Sequence, residues 1–560
     1  VIHNIVIGGA AGLGMETMAS ILEKILHRKR FEIFVIQDYM SRVRGGHNFF
    51  PIRFANEEID SHGDELNGII ALDRDTIQTH INRLQTDGFI IADEEIDFKD
   101  ARLYSLPLKA TAKTIGNPKV FGNVALGAVL RLYNQDFTGV AEVINEKFNG
   151  EEASQNSKAF EQGYNLVPGK YEIKANPKDD QILINANEAI ALGAIASGLK
   201  FYAGYPMTPS TVIMTYLAAK MNEAEIIVEQ AEDEIAAINM AIGASYAGVR
   251  AMTGTSGGGF ALMVEAIGLS AMLEVPLVVA EMQRPGPATG LPTRTEQGDL
   301  KFVIYSSPAE IPKMVIALRD PEDAFFQTNR AFDLADKYQI PVIIMGDQFL
   351  ADSTRTVKAF DFSKLKNDRY LSSEAYSLDK EYRRYEITDS GVSPRIIPGK
   401  LPGTRVLVDS DEHDEYGRIT ESSAMRKTMH EKRLRKMTSL KEELQEPIFV
   451  GAENADTVLL TWGSLSSPVK EAVRLLNAQG ENKYGALLFG DVWPLPDKLL
   501  KIKRESAKKL INVEQNATGL FASLVREQTG IECDRSILKY DGRPLSSQEI
   551  VAGVKGGEQG

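Results

Sequence analysis

The chain has 560 residues, 43% of them hydrophobic and 25% charged, with a formal net charge of −14. That length is too great for one hydrophobic core and implies roughly two to four domains, and the acidic balance excludes a surface built for nucleic acid or anionic membrane. No apolar run is long enough to span a bilayer, no signal peptide is visible, and the one cysteine, Cys533, supports neither a disulfide framework nor an iron–sulfur or zinc site, so a reducing cytosol is the expected compartment.

From residue 1 to about 150, "HNIVIGG" reads as a buried strand, "GGAAGLG" as a Gly-rich turn, "METMASILEKIL" as an apolar-periodic helix and "FEIFVIQD" as a second strand. This is the β-turn-α-β opening of an α/β layer with parallel strands, and "LNGIIALD" and "DGFIIADE" continue it. Residues 150 to about 182 are polar and turn-rich and read as a linker. A second α/β region, from about 183 to 350, has strands at "KFYAGY", "AEIIVEQ", "VRAMTGTSG", "VPLVVAEM" and "IPVIIMGD". From about 355 to 447 the chain is charged and irregular. It ends in "MRKTMHEKRLRKMTSLKEEL", for which a solvated helix laced with ion pairs is expected. A third α/β unit begins at "ADTVLLTWGS" and continues through "YGALLFGDVWPLP" and "AKKLINVEQNATG". The expected fold class is α/β with three parallel-sheet domains, at 1–165, 183–447 and 448–560, and a linker at 166–182.

Five segments carry candidate chemistry. The glycines of "GGAAGLG" (Gly8, Gly9, Gly12, Gly14) miss the first-third-sixth spacing of a dinucleotide fingerprint, although Asp38 lies near the end of the second strand. In "SRVRGGHNFFPIRF", Arg42, Arg44, His47 and Arg53 surround Gly45-Gly46, either as a phosphate or carboxylate clamp or as a solvated hairpin. In "VEQAEDEIAAINMAIGASYAG", Glu232, Asp233 and Glu234 open a helix where acids complement its dipole. The cluster of Ala236, Ala237, Ala241, Gly243 and Ala244 on that helix lets a flat ring or another backbone approach closely. In "EMQRPGPATGLPTRTEQGDL", Arg284 follows a strand directly, and Thr289 and Thr293 share its Pro/Gly-rich loop, a reasonable carboxylate receptor. Upstream, "FYAGYPMTPSTVIM" pins Thr208 between Pro206 and Pro209.

The Glu234 helix is similar to the glutamate helix of thiamine-diphosphate enzymes. Taken with "YPMTPST", "TSGGGFALM" and "RPGPATGLPT" in one order, it resembles the α subunit of the 2-oxoacid:ferredoxin oxidoreductases. The likeness extends to "GVSPRIIPG", "EHDEYGRIT", "TWGS", "WPLP", "VEQN" and "YDGRP". The first 150 residues resemble that family's γ subunit, although "GGAAGLG" departs from the γ pattern Gly-x-Gly-Gly-x-Gly.

The resemblance implies a γ-like Rossmann-type domain, a pyrimidine-binding thiamine-diphosphate domain with a charged extension from about 355, and a transketolase C-terminal-like domain. It implies reversible, CoA-dependent oxidative decarboxylation of a 2-oxoacid with ferredoxin as electron acceptor, a reaction that also fixes carbon dioxide, as in a reductive TCA cycle. Carried over, Glu234 activates the aminopyrimidine. Thr208, Arg284, Thr289 and Thr293 bind substrate, while Tyr205, Pro206, Ser256 and Gly257 border the cofactor. Arg42, Arg44 and His47 are the CoA candidates. The fused γ–α arrangement with "RPGPATGLPT" looks most like the 2-oxoglutarate enzymes; pyruvate and branched-chain 2-oxoacids are the alternatives, as is a non-catalytic assembly protein of the same fold.

No Gly-Asp-Gly occurs in the sequence, which argues against a self-sufficient transketolase relative. Magnesium, the cofactor's pyrophosphate and a [4Fe-4S] cluster are therefore expected on a partner β subunit, in a dimer of α–β heterodimers.

Overall fold

A computed structural model describes residues 2–40, 46–175, 180–372, 381–478, 480 and 483–556. The chain divides into two compact units, one of residues 1–185, 352–359 and 546–549, the other of 186–351, 360–545 and 550–560.

The first unit is built on an eight-stranded sheet of β1 (Ile2–Ala10), β2 (Glu32–Ile36), β3 (His47–Ala55), β4 (Leu66–Ala71), β5 (Leu84–Asp93), β6 (Leu103–Leu106), β7 (Gln181–Asn185) and β14 (Ser353–Lys358). Their spatial order is β6-β5-β4-β1-β3-β2-β14-β7. The β6 to β1 flank is parallel, and from β1 to β7 every pair is antiparallel. Strand β1 shows why its run is apolar throughout. Ile5 and Ile7 enter one core and Val6 another, because successive side chains leave opposite faces of a strand covered on both sides.

Residues 150–182, read as a linker from their polarity, are largely part of this unit. Gly150–Tyr164 is a helix, and Val167 and Ile173 are buried in the same core as Ile5. The helix packs backbone to backbone on helix Phe121–Leu132. A Cβ on Gly163 would lie 1.8 Å from the Val124 carbonyl oxygen, and one on Gly127 would lie 2.1 Å from that of Phe160.

The second unit holds two sheets. One contains β8 (Leu199–Gly204), β9 (Ile227–Gln230), β10 (Arg250–Thr255), β11 (Leu277–Gln283), β12 (Met314–Ala317), β13 (Pro341–Asp347) and β18 (Asp491–Trp493), in the order β18-β12-β13-β11-β10-β8-β9. Only the β12–β18 pair is antiparallel. The other contains β15 (Ile448–Gly451), β16 (Thr457–Trp462), β17 (Tyr484–Phe489), β19 (Lys509–Glu514) and β20 (Arg535–Leu538), in the order β15-β17-β16-β19-β20. One core runs between them: Phe260, Met263, Val279 and Val315 share it with Leu460, Trp462, Phe489 and Phe521.

The basic run is helix Ser423–Leu440, and its expected solvation is not what the structure shows. Lys432, Arg433 and Lys436 are buried, because Glu274 lies beneath the two lysines and Glu412 accepts from Arg433 at 2.8 and 3.0 Å.

Candidate active site

Strands β9, β8, β10 and β11 are parallel neighbours, and each is followed at its carboxyl end by a candidate residue. Glu234 follows β9, Thr208 follows β8, Ser256 and Gly257 follow β10, and Arg284 follows β11. Open α/β sheets bind ligands at this edge.

The Thr208 turn is held through three consecutive carbonyls. Met207 O accepts from the Ser210 hydroxyl at 2.9 Å, Thr208 O from Arg284 Nη1 at 2.9 Å, and Pro209 O from Asn187 Nδ2 at 2.8 Å. Asn187 is fully buried. The Thr208 hydroxyl makes no hydrogen bond among the described residues. Tyr205 and Pro206, on the same turn, are exposed.

Glu234 opens helix Glu234–Tyr246, whose N-cap Asp233 accepts from the Ala236 N–H at 2.8 Å. With that first-turn donor satisfied by Asp233, Glu234 is not needed as a cap and turns inward. It is 3% exposed, yet its Oε1 has no hydrogen-bond partner. An orphaned buried carboxyl oxygen costs roughly 1–3 kcal/mol and marks a place where a partner is missing. Ser256, at the N-cap of helix Gly257–Leu273, repeats the pattern: it is fully buried, makes no cap bond, and its Oγ is unpartnered. Beside them the helix begins with three glycines. A Cβ on Gly259 would stand 2.5 Å from Glu234 Oε1 and 2.1 Å from Thr255 Oγ1, and one on Gly257 would stand 2.4 Å from Asp299 Oδ2. Two unpartnered polar atoms and a stretch without side chains fit an aromatic ring bearing its own donors and acceptors.

Arg284 meets no carboxylate among the described residues, and burial lowers its guanidinium below the usual value. Its loop carries Thr289, exposed, and Thr293, half-buried. The loop returns to the Gly257 helix at Asp299, whose N–H donates to Gln283 Oε1 at 3.0 Å. Glu281, two residues before Gln283, is a further acid that the sequence reading passed over. It is fully buried, and burial together with the Asp299 and Asp347 carboxyls pushes it well above the usual carboxylate range. An acid at the end of the otherwise apolar run "VPLVVAEM" was the available signal. No group of three or more His, Cys, Asp or Glu side chains among the described residues is arranged to hold a metal ion.

Of the residues proposed for CoA, Arg42 and Arg44 lie outside the described residues. His47 begins β3 opposite Ala10, in the first unit, with its Nε2 3.1 Å from that of His80; burial lowers the pKa of both rings, that of His80 to about 3. It borders the Gly-rich turn, since a Cβ on Gly8 would lie 3.1 Å from its Cε1. No helix among the described residues is long and apolar enough to cross a membrane.

Residues 192–433 match the family model described as pyruvate flavodoxin/ferredoxin oxidoreductase, thiamine diP-bdg, and residues 4–166 that described as pyruvate ferredoxin/flavodoxin oxidoreductase. The chain is 31% identical to a 2-oxoacid:ferredoxin oxidoreductase subunit alpha from Sulfolobus sp, over 99% of this chain and 97% of that one. It is 31% identical to the 2-oxoglutarate synthase subunit KorA of Methanothermobacter thermautotrophicus, over 66% of this chain and 97% of the relative. A solved 2-oxoglutarate:ferredoxin oxidoreductase from Magnetococcus marinus, with 2-oxoglutarate, coenzyme A and succinyl-CoA bound, superposes with a TM-score of 0.92 at 31% identity, covering 99% of both chains. This chain therefore belongs to the 2-oxoacid:ferredoxin oxidoreductase family, as an α subunit.

Proposed function

We propose that this α subunit serves a 2-oxoglutarate:ferredoxin oxidoreductase, which converts 2-oxoglutarate and coenzyme A to succinyl-CoA and carbon dioxide, passes two electrons to ferredoxin, and runs in either direction. The observation that carries the reading is the unpartnered Glu234 Oε1, buried at one strand edge with Thr208, Ser256, Gly257 and Arg284. Bound there, thiamine diphosphate supplies the electron sink for loss of carbon dioxide from the 2-oxoacid. The Glu234 carboxyl holds and exchanges a proton at a ring nitrogen of the aminopyrimidine, which its missing partner fits. Ser256 and Gly257 border the ring, as do Tyr205 and Pro206.

Thr208 donates its hydroxyl to the substrate's carboxylate or carbonyl. With three neighbouring carbonyls already clamped, little reordering is needed when substrate arrives. Arg284 spends one N–H on the Thr208 carbonyl and directs the rest of its guanidinium to a carboxylate, with Thr289 and Thr293 lining the same pocket. The choice of 2-oxoglutarate is supported by "RPGPATGLPT" in the fused γ–α arrangement and by the Magnetococcus marinus relative, which spans the whole chain. Coenzyme A is assigned to the γ-like region near Arg42, Arg44 and His47.

The remaining half of the site is assigned to a β subunit holding magnesium, the pyrophosphate and a [4Fe-4S] cluster, in a cytoplasmic dimer of α–β heterodimers. Ile235, 51% exposed and next to Glu234 in the chain, is the apolar side chain assigned to contact with that subunit. The test is Glu234→Gln in the complex, assayed with 2-oxoglutarate, CoA and a low-potential acceptor. Turnover should fall by roughly 10²-fold or more; unchanged turnover refutes the assignment. Parallel assays with pyruvate and a branched-chain 2-oxoacid decide the substrate.

A further inference from the structure

Arg284, Thr289 and Thr293 lie on a loop that leaves β11, turns on hydrogen bonds from the Leu291 N–H to Pro285 O and from the Arg294 N–H to Leu291 O, both 3.1 Å, and runs on to Thr295 and Gln297, where what holds it comes from the C-terminal region. The Gln297 N–H donates to Gln515 O at 2.7 Å, the Gln515 N–H donates to Gln297 Oε1 at 3.1 Å, and Asn516 Nδ2 donates to Gln297 O at 3.1 Å. Gln297 Nε2 reaches Trp462 O at 2.9 Å. Gln515 Nε2 donates to Thr295 O at 3.1 Å and to Arg543 O at 2.8 Å, and the Thr295 N–H reaches Gly542 O at 3.3 Å.

Both glutamines are buried, Gln297 at 1% and Gln515 at 3% exposure, and each uses both ends of its amide. A fully satisfied buried polar network of this kind specifies one geometry. It also reaches the loop tip, because Gly542, at φ +77°, lies so close that a Cβ would stand 2.9 Å from Leu291 Cδ1 and 3.1 Å from Arg294 Cβ. The sheet of β15, β16, β17, β19 and β20 carries none of the candidate substrate residues, yet segments following its strands fix the far end of the loop that does.

We propose that Gln297 and Gln515 are positioning residues for the 2-oxoacid subsite, and that through them the C-terminal region sets which 2-oxoacid the Arg284 loop accepts. The inference rests on the loop being the substrate subsite. Gln515→Met, close in volume but unable to make the amide's hydrogen bonds, should let the loop relax without touching Glu234. In the complex with its β subunit, KM for 2-oxoglutarate should rise roughly tenfold to a hundredfold, the range that an ångström-scale misplacement produces. The ratio of KM values for 2-oxoglutarate and pyruvate should shift, with kcat and thiamine diphosphate affinity nearly unchanged.

Val513→Ala is the control for a merely structural role. Val513 is fully buried in β19, and its truncation lowers stability without removing a clasp bond. The proposal is overturned if Gln515→Met moves KM and the KM ratio no further than Val513→Ala does at matched thermal stability. Should Gln515→Met fail to assemble, Gln297→Glu makes the same test. It keeps the oxygen that accepts from the Gln515 N–H and loses the donor to Trp462. Arg284→Ala separates the two readings. If it leaves KM unchanged, the loop is not the substrate subsite and both fail; if it raises KM while the glutamine variants do not, only the clasp fails.

Discussion

Glu274→Gln should cost this protein more stability than almost any other single change. Glu274 follows helix Gly257–Leu273 at φ +51°, and its fully buried carboxylate meets Lys432 Nζ at 2.7 Å and Lys436 Nζ at 2.5 Å. Arg384 donates to the Glu274 carbonyl at 2.6 Å and to Gln339 Oε1 at 2.9 Å, and Lys436 also reaches Gln339 O at 3.2 Å. Three cations thus converge on one carboxylate and on the C-terminal ends of two helices, Gly257–Leu273 and Pro321–Tyr338. Each helix end contributes about half a negative charge.

Desolvation alone would raise the Glu274 carboxyl, but the lysines and Arg384 outweigh it and hold it well below the usual range. Burial pushes Lys436 down to about 7, with Glu274 opposing the shift. Neutralising the one carboxylate leaves two lysines in a dry interior without a counter-charge. Breaking a buried pair in this way costs about 3–5 kcal/mol, which lowers amide protection by roughly two to nearly four orders of magnitude. Hydrogen exchange of the amides in helix Ser423–Leu440 and at the end of helix Gly257–Leu273 measures this directly. Lys436→Met should cost far less, because Lys432 Nζ still donates to both Glu274 carboxylate oxygens, at 2.7 and 3.0 Å. A loss of protection below tenfold in Glu274→Gln, or an equal loss in Lys436→Met, would refute the argument that these charges are desolvated and interdependent.

Two further outcomes are expected. Asp347, fully buried, has its carboxyl pushed up to about 6 by desolvation, against the Ser464 hydroxyl that donates to it. A carboxyl raised in the folded state stabilises below its unfolded value, near 4, and loses that contribution as pH rises through about 6. Wild-type stability should therefore fall across that window by about 3 kcal/mol relative to Asp347→Asn, read from urea midpoints at pH 4 to 7. Gly259→Ala puts a methyl group against Glu234 Oε1 and Thr255 Oγ1, so thiamine diphosphate affinity should fall while the fold survives at a cost of about 1–3 kcal/mol; affinity equal to wild type would refute the proposal that Glu234 meets the cofactor.

The sheets were legible because their strands are short apolar runs, and the candidate site segments stood out because an acid among alanines and a proline-pinned threonine are locally odd. Other features were hidden for reasons the same residues explain. Helix Gly150–Tyr164 buries Ala153, Asn156, Ala159, Phe160 and Gly163, a face too small and polar to register as an apolar stripe. Its affinity for its neighbour lies in backbone approach at Gly127 and Gly163, which no hydropathy pattern records. The basic helix reads as solvated because its lysines look like any others until Glu274, 158 residues away from Lys432, is placed beneath them. The clasp escaped notice similarly: Gln297 and Gln515 are separated by 218 residues, and a buried glutamine satisfied by distant backbone is indistinguishable in sequence from one facing water.

Helix Gly257–Leu273 joins these observations. Its first turn is glycine because the Glu234 and Asp299 carboxyls and the Thr255 hydroxyl occupy the space a side chain would need, and its last residue leads into the buried Glu274 network. A helix is stiff along its axis, with a rise of about 1.5 Å per residue, so fixing one end fixes the other. The charges under Glu274 thus set the depth at which the glycine turn stands against Glu234, some 25 Å away by that rise over 17 residues. On this account the buried cations of helix Ser423–Leu440 fix the glycine turn of the proposed cofactor site, and Glu274→Gln should weaken thiamine diphosphate binding as well as stability. If it destabilises the helix end yet leaves cofactor affinity untouched, the two ends are independent and the glycine turn owes its place to the strand edge alone.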